Sequence, residues 1–168
     1  MDALQTYRQI YYPESRFGGF THVDATINFY SRVHELLTPT SSILDVGCGR
    51  GWYAEDPVAI RRELRIFKGR CQKVIGIDVD PAAAANPYLD EFHQLTESRW
   101  PIADESIDLI VSDWVLEHVA EPDKFFTEAQ RVLKPGGYVC LRTTNARSYV
   151  GLISRLVPNR MHASVVSR

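Results

Sequence analysis

The chain has few cysteines, no long apolar run and no strong excess of either charge. Its three cysteines, Cys48, Cys71 and Cys140, are an odd number with no C-x-x-C pair, which argues against both a disulfide scaffold and a zinc site. The formal net charge of −2 gives no general electrostatic attraction to nucleic acid. No apolar run approaches the ~20 residues of a membrane-spanning helix. We therefore expect no bound metal, no nucleic-acid partner and no membrane span.

The N-terminal sequence and the composition favour a cytoplasmic globular protein. Residues 1–5 lack the basic and apolar regions of a secretory signal peptide. Unpaired cysteines suit a reducing compartment. A length of 168 residues, of which 45% are hydrophobic and 24% charged, fits one domain with a sizeable core.

Charge is distributed unevenly toward the C-terminus. No Asp or Glu follows Lys134, whereas five arginines do: Arg142, Arg147, Arg155, Arg160 and Arg168. We interpret this stretch as a solvated face, or as a face that packs on residues absent from this chain. The alternative is contact with an anionic substrate or a membrane surface.

The segment 43–51 (ILDVGCGRG) is the most informative part of the chain. An apolar run suited to a buried parallel strand is followed at once by Gly47, Gly49 and Gly51. Glycines permit a sharp turn and leave no Cβ between the backbone and a ligand. A dinucleotide-binding G-x-G-x-x-G loop would need its third glycine at Trp52, so the spacing disfavours an NAD-dependent oxidoreductase.

Alternating strands and helices are predicted along the chain. Thr21 is the predicted cap of a first helix over 22–37. Strands are expected at 42–46, 73–78, 91–95, 107–112 and 138–143. Helices are expected after the glycine loop (with Asp56 as cap and Ile60, Leu64 and Phe67 on one face), at 81–85, at 122–133 (with Phe125, Phe126, Ala129, Val132 and Leu133 facing inward) and at 146–157. Strands joined by helices indicate a doubly wound, mostly parallel α/β sheet whose ligands lie beyond the carboxyl ends of the strands.

Four short motifs together resemble one protein family. They are D-x-G-x-G-x-G at 45–51, P-x-x-D-x-S-x-D at 101–108, L-E-H-V at 116–119 and L-K-P-G-G at 133–137. This set is similar to the class I S-adenosylmethionine (SAM)-dependent methyltransferases, in particular the methyltransferase type 11-like group, over residues 41–144. The resemblance implies a Rossmann-like fold, with residues 1–40 as an N-terminal cap and helix and residues 41–168 as the SAM-binding domain.

The resemblance implies roles for the first motif. Asp45 would reach the methionine moiety of SAM, whose ammonium group suits a nearby carboxylate. It could instead satisfy only the backbone N–H groups of the turn. Gly47, Gly49 and Gly51 would allow the close approach of the backbone to the cofactor. Cys48, inside the loop, is interpreted as a small buried thiol among the cofactor-binding residues.

The second strand carries the next implied residues. Asp78 would accept hydrogen bonds from both ribose hydroxyls, as a carboxylate can. Asp80 competes for that role but is better placed to cap the helix that begins at Pro81. Val79 would line the adenine. Thr96 and Glu97 are candidates for the adenine edge, where relatives often carry an aspartate.

Residues after the fourth strand complete the predicted site. Asp113 and Trp114 occupy a position that in the family commonly contacts the methionine part of SAM. His118 is a candidate general base, although packing and hydrogen bonding at the start of a helix explain it better. Trp100 is expected either to stack on the cofactor or to lie in the core.

The implied activity is transfer of a methyl group from SAM to a small-molecule or carbohydrate-like acceptor, with S-adenosyl-L-homocysteine as product. The alternative is a SAM-binding fragment without turnover. Family sheets usually add two strands after strand five, so we expect this chain to be truncated there. Strand five would then be an exposed edge, through which copies of the chain could associate.

Overall fold

Five parallel strands form one sheet in the order β3-β2-β1-β4-β5. The structure is a computed structural model that describes residues 24–144. Its strands are β1 (Ser42–Val46), β2 (Lys73–Asp78), β3 (Glu91–Gln94), β4 (Ile107–Asp113) and β5 (Leu133–Arg142). The α-helices are α1 (Ala25–Glu35), α2 (Ala59–Arg65) and α3 (Pro122–Val132), and 3₁₀ turns lie at Trp52–Glu55, Pro81–Ala85 and Leu116–His118. The predicted parallel α/β sheet is confirmed, and its strand order reverses direction at β1.

The first two strands have the predicted bounds, whereas β5 begins earlier than predicted. Ile107 pairs with Leu133, but Leu109 pairs with Tyr138. Four residues, 134–137, therefore bulge out between two paired positions of one strand. The Pro-Gly-Gly turn was predicted to precede the strand but lies within it.

Helix α1 begins at Ala25 rather than at residue 22. The side chain of Asp24 accepts hydrogen bonds from the backbone N–H groups of Thr26 (3.1 Å) and Ile27 (3.0 Å). Asp24 is therefore the cap, and the prediction of Thr21 in that role is wrong, since two of the orphan N–H groups of a helix start are satisfied by Asp24. Thr21 lies outside the described residues.

The core has one layer on each face of the sheet. Helix α1 covers one face, where Tyr30 and Val33 are buried. Helix α3 covers the other face through Phe125, Ala129 and Val132. The inward prediction for Phe126 is wrong, because 44% of this residue is exposed.

Helix α2 is shorter than expected. Its cap position is Val58, while the Asp56 carboxylate accepts from the Val58 N–H at 2.9 Å. The helix ends at Arg65, so Phe67 is buried from the loop that follows, and Ile60 is exposed. The predicted common face of three apolar residues is wrong because the helix does not extend to Phe67.

Arg131 in α3 connects that helix to the segment before β4. Its guanidinium donates to the backbone carbonyls of Trp100 (2.9 Å) and Ile102 (2.8 Å) and to the carboxylates of Glu128 and Asp104. Replacing Arg131 with alanine leaves both carbonyls and Glu128 without this donor. We expect the free energy of unfolding to fall by about 2–4 kcal/mol. Urea denaturation followed by circular dichroism measures the loss.

Lys124 in the same helix provides the control. It pairs with Glu121 at 2.9 Å, and both side chains are more than half exposed. Alanine at Lys124 should change the free energy of unfolding by less than about 1 kcal/mol, as for other surface pairs. Equal losses for the two variants would show that Arg131 does not hold the segment in place.

Strand β5 forms one edge of the sheet within residues 24–144, and its Tyr138 and Val139 are exposed. Association of copies through this edge stays a prediction. None of the helices in the described range is both long enough and apolar enough to span a membrane. The predicted helix at 146–157 and the four arginines after Arg142 lie outside that range.

Candidate functional site

The glycine loop lies at the carboxyl end of β1, between the ends of β2 and β4. Gly47, Gly49 and Gly51 have φ angles of 75°, 54° and 81°, in the left-handed region that other residues rarely adopt. A Cβ on Gly47 would lie 2.3 Å from Cγ2 of Val115. A Cβ on Gly49 would have no heavy atom within 4 Å. Gly47 is therefore required by close packing against Val115, whereas Gly49 leaves open space beside the loop.

The side chain of Asn86 holds the glycine loop in its conformation. Its side-chain nitrogen donates to the carbonyls of Cys48 (3.2 Å) and Gly49 (3.1 Å), while its oxygen accepts from the Tyr88 N–H at 3.0 Å. The residue is 5% exposed, so these bonds are made away from water. The loop conformation is thus fixed by a buried amide.

Asp78 joins the end of β2 to the loop. One carboxylate oxygen accepts from the Gly49 N–H at 2.9 Å, and the other accepts from the Asp80 N–H at 2.9 Å. Asp80 itself accepts from the Ala82 N–H at 2.9 Å and pairs with Arg50 at 2.7 Å. Asp80 therefore caps the turn at Pro81–Ala85, as predicted.

Two cavities meet at the loop, and Gly47 lines both. The larger has a volume of about 550 Å³ and includes Asp78, Val79 and His118 in its wall. The smaller has a volume of about 280 Å³ and includes Asp45 and Trp114. Val79 is 71% exposed at the mouth of the larger cavity. The predicted residues of β1, β2 and β4 are thus brought together around one loop.

Asp45 carries the most perturbed carboxyl group of the smaller cavity. Burial, followed by the nearby carboxylates of Asp113 and Asp78, raises its pKa to about 7. Its carboxylate has no hydrogen-bond partner among the described residues. A half-buried acid that no described residue engages favours a cationic ligand, since such a ligand would stabilise the ionised form. The alternative role, that this carboxylate satisfies the N–H groups of the turn, finds no hydrogen bond within the described range.

Asp113 differs from Asp45 because its carboxylate is fully engaged. It accepts from the Tyr30 hydroxyl at 3.0 Å and from two nitrogens of Arg142, and Arg65 lies 3.8 Å away. Burial, followed by the charge of Asp113, raises the pKa of Tyr30. The solvated-face interpretation is therefore wrong for Arg142.

Trp114 has a φ of +59°, which is unusual for a bulky side chain. It is 47% exposed at the smaller cavity, where Trp52 is also exposed. Strained backbone at a cavity wall is a common property of functional sites. The two indole rings and the loop together form the lip of this cavity.

The remaining predicted residues are placed less centrally. Thr96 and Glu97 are exposed and line neither cavity, although their neighbours Leu95 and Ser98 line the larger one. Trp100 is 5% exposed and packs edge-to-face on Phe125 in the core, and it also lines the larger cavity, so stacking on the cofactor stays a prediction.

His118 is exposed in the wall of the larger cavity. Burial raises the pKa of the Cys48 thiol, as expected for an unreactive cysteine. The His, Cys, Asp and Glu residues of the described range form no cluster suited to a metal ion.

Four residues of the site were not predicted from the sequence: Tyr30, Arg65, Asn86 and Arg142. Tyr30 lies within the helix predicted over 22–37, and a tyrosine hydroxyl that is buried needs a partner, which is the available signal. The other three act through residues distant along the chain. No local pattern marks them.

Comparison with known proteins bears on the family. A methyltransferase domain model matches residues 44–141, which is more than half of the chain. A probable S-adenosylmethionine-dependent methyltransferase of Mycolicibacterium smegmatis is 31% identical over 130 residues, covering 70% of this chain and 46% of the relative. A ubiquinone biosynthesis O-methyltransferase of Rhizobium etli is 32% identical over 103 residues, covering 61% of this chain and 41% of the relative. The chain thus spans less than half the length of these two relatives.

Solved structures agree on the fold. A SAM-dependent methyltransferase of Thermotoga maritima, described as a possible histamine N-methyltransferase, matches with a TM-score of 0.55 and 21% identity, over 91% of this chain and 64% of its own. At that identity the match concerns the fold alone. The family model and the Mycolicibacterium smegmatis relative show that the chain belongs to the class I SAM-dependent methyltransferase family.

Proposed function

We propose that the two cavities hold SAM on either side of Gly47 and that the chain transfers its methyl group to a small-molecule or carbohydrate-like acceptor. The observation that carries the proposal is the Asp45 carboxylate, which accepts no hydrogen bond from residues 24–144 and lines a cavity formed by the glycine loop. The ammonium group of the methionyl moiety is a cation that would satisfy it.

The chain's residues divide the cofactor between the cavities. In the larger cavity, Asp78 would hold the ribose hydroxyls and the exposed Val79 would cover the adenine. In the smaller cavity, Asp45, the loop and Trp114 would hold the methionyl part. The open space above Gly49 supports this placement, because backbone without a side chain can approach a ligand closely.

When bound, SAM supplies an already activated methyl group, so the chain's task is to position the acceptor and to exclude water. Alignment alone can lower a barrier by about 7–11 kcal/mol. Trp52 and Trp114 present flat apolar faces at the lip of the smaller cavity, which suit a ring-shaped acceptor. The name of the Rhizobium etli relative supports a hydroxyl oxygen as the acceptor atom.

A SAM-binding chain without turnover is the second candidate. It is favoured because neither of the two aspartates that line the smaller cavity is available as a general base. Asp113 is held by Arg142, and Asp45 is assigned to the ammonium group. His118, the candidate base, lines the other cavity. A methyl-transfer assay over a panel of hydroxylated rings separates the two candidates, because only the first predicts methylated product.

Calorimetric titration with S-adenosyl-L-homocysteine, with NAD as comparator, tests the site itself. We expect binding in the micromolar range for the first ligand and none for NAD. A folded sample that binds neither, or that prefers NAD, would contradict the proposal.

Ligand binding should depend on pH through Asp45. Because the carboxyl is protonated below its pKa of about 7, binding of the cationic ammonium must release that proton at lower pH. We expect S-adenosyl-L-homocysteine affinity to rise by up to about tenfold per pH unit between pH 5.5 and 7 and then to level off. Titration at pH 6 in two buffers of different ionisation enthalpy should show release of about one proton.

Asp45→Asn provides the control for this pH dependence. The variant should bind more weakly, with an affinity independent of pH over the same range. It should also be more stable to unfolding than the original chain at pH 8. A folded-state pKa raised from 3.8 to about 7 costs stability at pH values above the shifted pKa and costs nothing below the unfolded pKa. A pH-dependent affinity retained in the variant would assign the titration to another group.

A further inference from the structure

Arg142, at the end of β5, places its guanidinium between two other elements. Nε donates to Oδ1 of Asp113 at 2.5 Å, and Nη2 donates to Oδ2 at 2.5 Å. Nη1 donates to the hydroxyl of Thr26 in α1 at 2.8 Å. Each nitrogen of the planar fork thus has an acceptor, on β4 or on α1, and only 10% of the side chain is exposed.

Three aromatic rings enclose the same cation. The guanidinium carbon lies 5.4 Å from the ring centre of Phe29, 5.8 Å from that of Tyr30 and 5.5 Å from that of Trp114. These separations are within the range of cation–π attraction, which strengthens where water is excluded. The arginine therefore connects α1, β4, β5 and the indole at the cavity lip.

Arg142 also holds the backbone of Trp114. The Trp114 N–H donates to the carbonyl of Arg142 at 2.8 Å. A left-handed backbone conformation is strained for a residue other than glycine. The backbone hydrogen bond and the stacked guanidinium both stabilise this conformation.

The arginine itself lines neither cavity, whereas Asp113 and Trp114 both line the smaller one. We infer that Arg142 is a positioning residue that fixes the wall of the smaller cavity and neutralises Asp113, so that Asp45 is left as the carboxylate for the ligand's ammonium group. This inference rests on the proposed function, in which the smaller cavity receives the amino-acid end of SAM.

Two ligands that share the adenosine part separate this role from a general effect on stability. S-adenosyl-L-homocysteine has the amino-acid end, and 5′-methylthioadenosine lacks it. With Arg142→Met, the first should bind about tenfold or more weakly, because Asp113 is left uncompensated and Trp114 unsupported. The second should bind within about twofold of the original chain, because the wall of the larger cavity is unchanged.

Arg142→Lys keeps the charge but cannot contact Asp113 and Thr26 together, since an ammonium group lacks the planar fork. We expect it to bind S-adenosyl-L-homocysteine with intermediate affinity. If the methionine variant does not fold, the lysine variant alone carries the ligand comparison.

Lys134→Met is the matched control on the same strand. Lys134 pairs with Asp108 at 2.8 Å near the opposite end of β5 and lines neither cavity. The substitution removes one cation and one ion pair, as at Arg142, but should leave both ligand affinities unchanged. Thermal unfolding of all variants accounts for differences in stability.

Fluorescence quenching supplies a readout that stability does not move. In a Trp52→Phe background, the remaining indoles are the exposed Trp114 and the buried Trp100. Acrylamide, a neutral quencher, should then quench mainly Trp114, and more strongly once Arg142 no longer stacks on it. The inference is overturned if both ligands weaken equally, or if neither affinity nor quenching changes in a folded variant. Failure of the original chain to bind either ligand would instead contradict the proposed function.

Discussion

Asp78→Asn is expected to weaken S-adenosyl-L-homocysteine binding by about 100-fold or more. In the proposed site this carboxylate accepts hydrogen bonds from the ribose hydroxyls, and hydrogen bonds to a charged group contribute about 1.5–3 kcal/mol each. The same carboxylate already orients the Gly49 N–H at 2.9 Å, so its loss also disturbs the loop. Isothermal titration of the folded variant measures the change.

Asp80→Asn is the matched control. Asp80 follows two residues later and carries the same charge, but its contacts are with Arg50 and the Ala82 N–H. Binding should stay within about threefold of the original value, because an exposed ion pair contributes little. A larger effect at position 80 than at position 78 would reverse the assignment of the two acids.

Gly47→Ala and Gly49→Ala should fail in different ways. At position 47 the new Cβ would lie 2.3 Å from Val115, so the left-handed backbone and the overlap together should cost about 2–5 kcal/mol of stability. At position 49 the cost should be only the ~1–2 kcal/mol of the backbone conformation. The Gly49 variant should nevertheless bind S-adenosyl-L-homocysteine about tenfold or more weakly, because its methyl group points into the proposed ligand space.

Gly69→Ala isolates the conformational cost. Gly69 has a φ of +83°, has nothing within 4 Å of its ideal Cβ position, and lies outside both cavities. It should lose about as much stability as the Gly49 variant, measured by urea denaturation, without any loss of ligand affinity. If Gly49→Ala bound the ligand normally, the space above the loop would not be the ligand's.

Local patterns were sufficient to predict the central strands and the loop. The bounds of β1 and β2 were predicted correctly because buried parallel strands are short apolar runs that end at turn residues. Helix ends were harder. Two residues of the same capping type, Thr21 and Asp24, compete for the start of α1, and propensity alone does not choose between them. Phe125 and Phe126 are adjacent in α3, about 100° apart around the helix, so both could not face the core equally.

The surroundings of the predicted site residues depend on contacts between distant parts of the chain. In the sequence, Asp45 and Asp113 are two similar acidic residues near the carboxyl ends of two strands. Only the fold shows that Arg142 and Tyr30 engage Asp113, whereas no residue in the part of the chain that the structure describes engages Asp45. For the same reason Arg142, counted at first among the basic residues near the C-terminus, proves to be an internal cation.

The buried amide of Asn86 has a consequence for the thermodynamics of ligand capture. Because it holds two loop carbonyls through contacts within the chain itself, the loop conformation does not have to be selected from many when a ligand arrives. Ordering a flexible loop costs about 1–2 kcal/mol of backbone entropy for each residue. A loop already held in place lets its contacts with the ligand appear as affinity, with little offset from entropy.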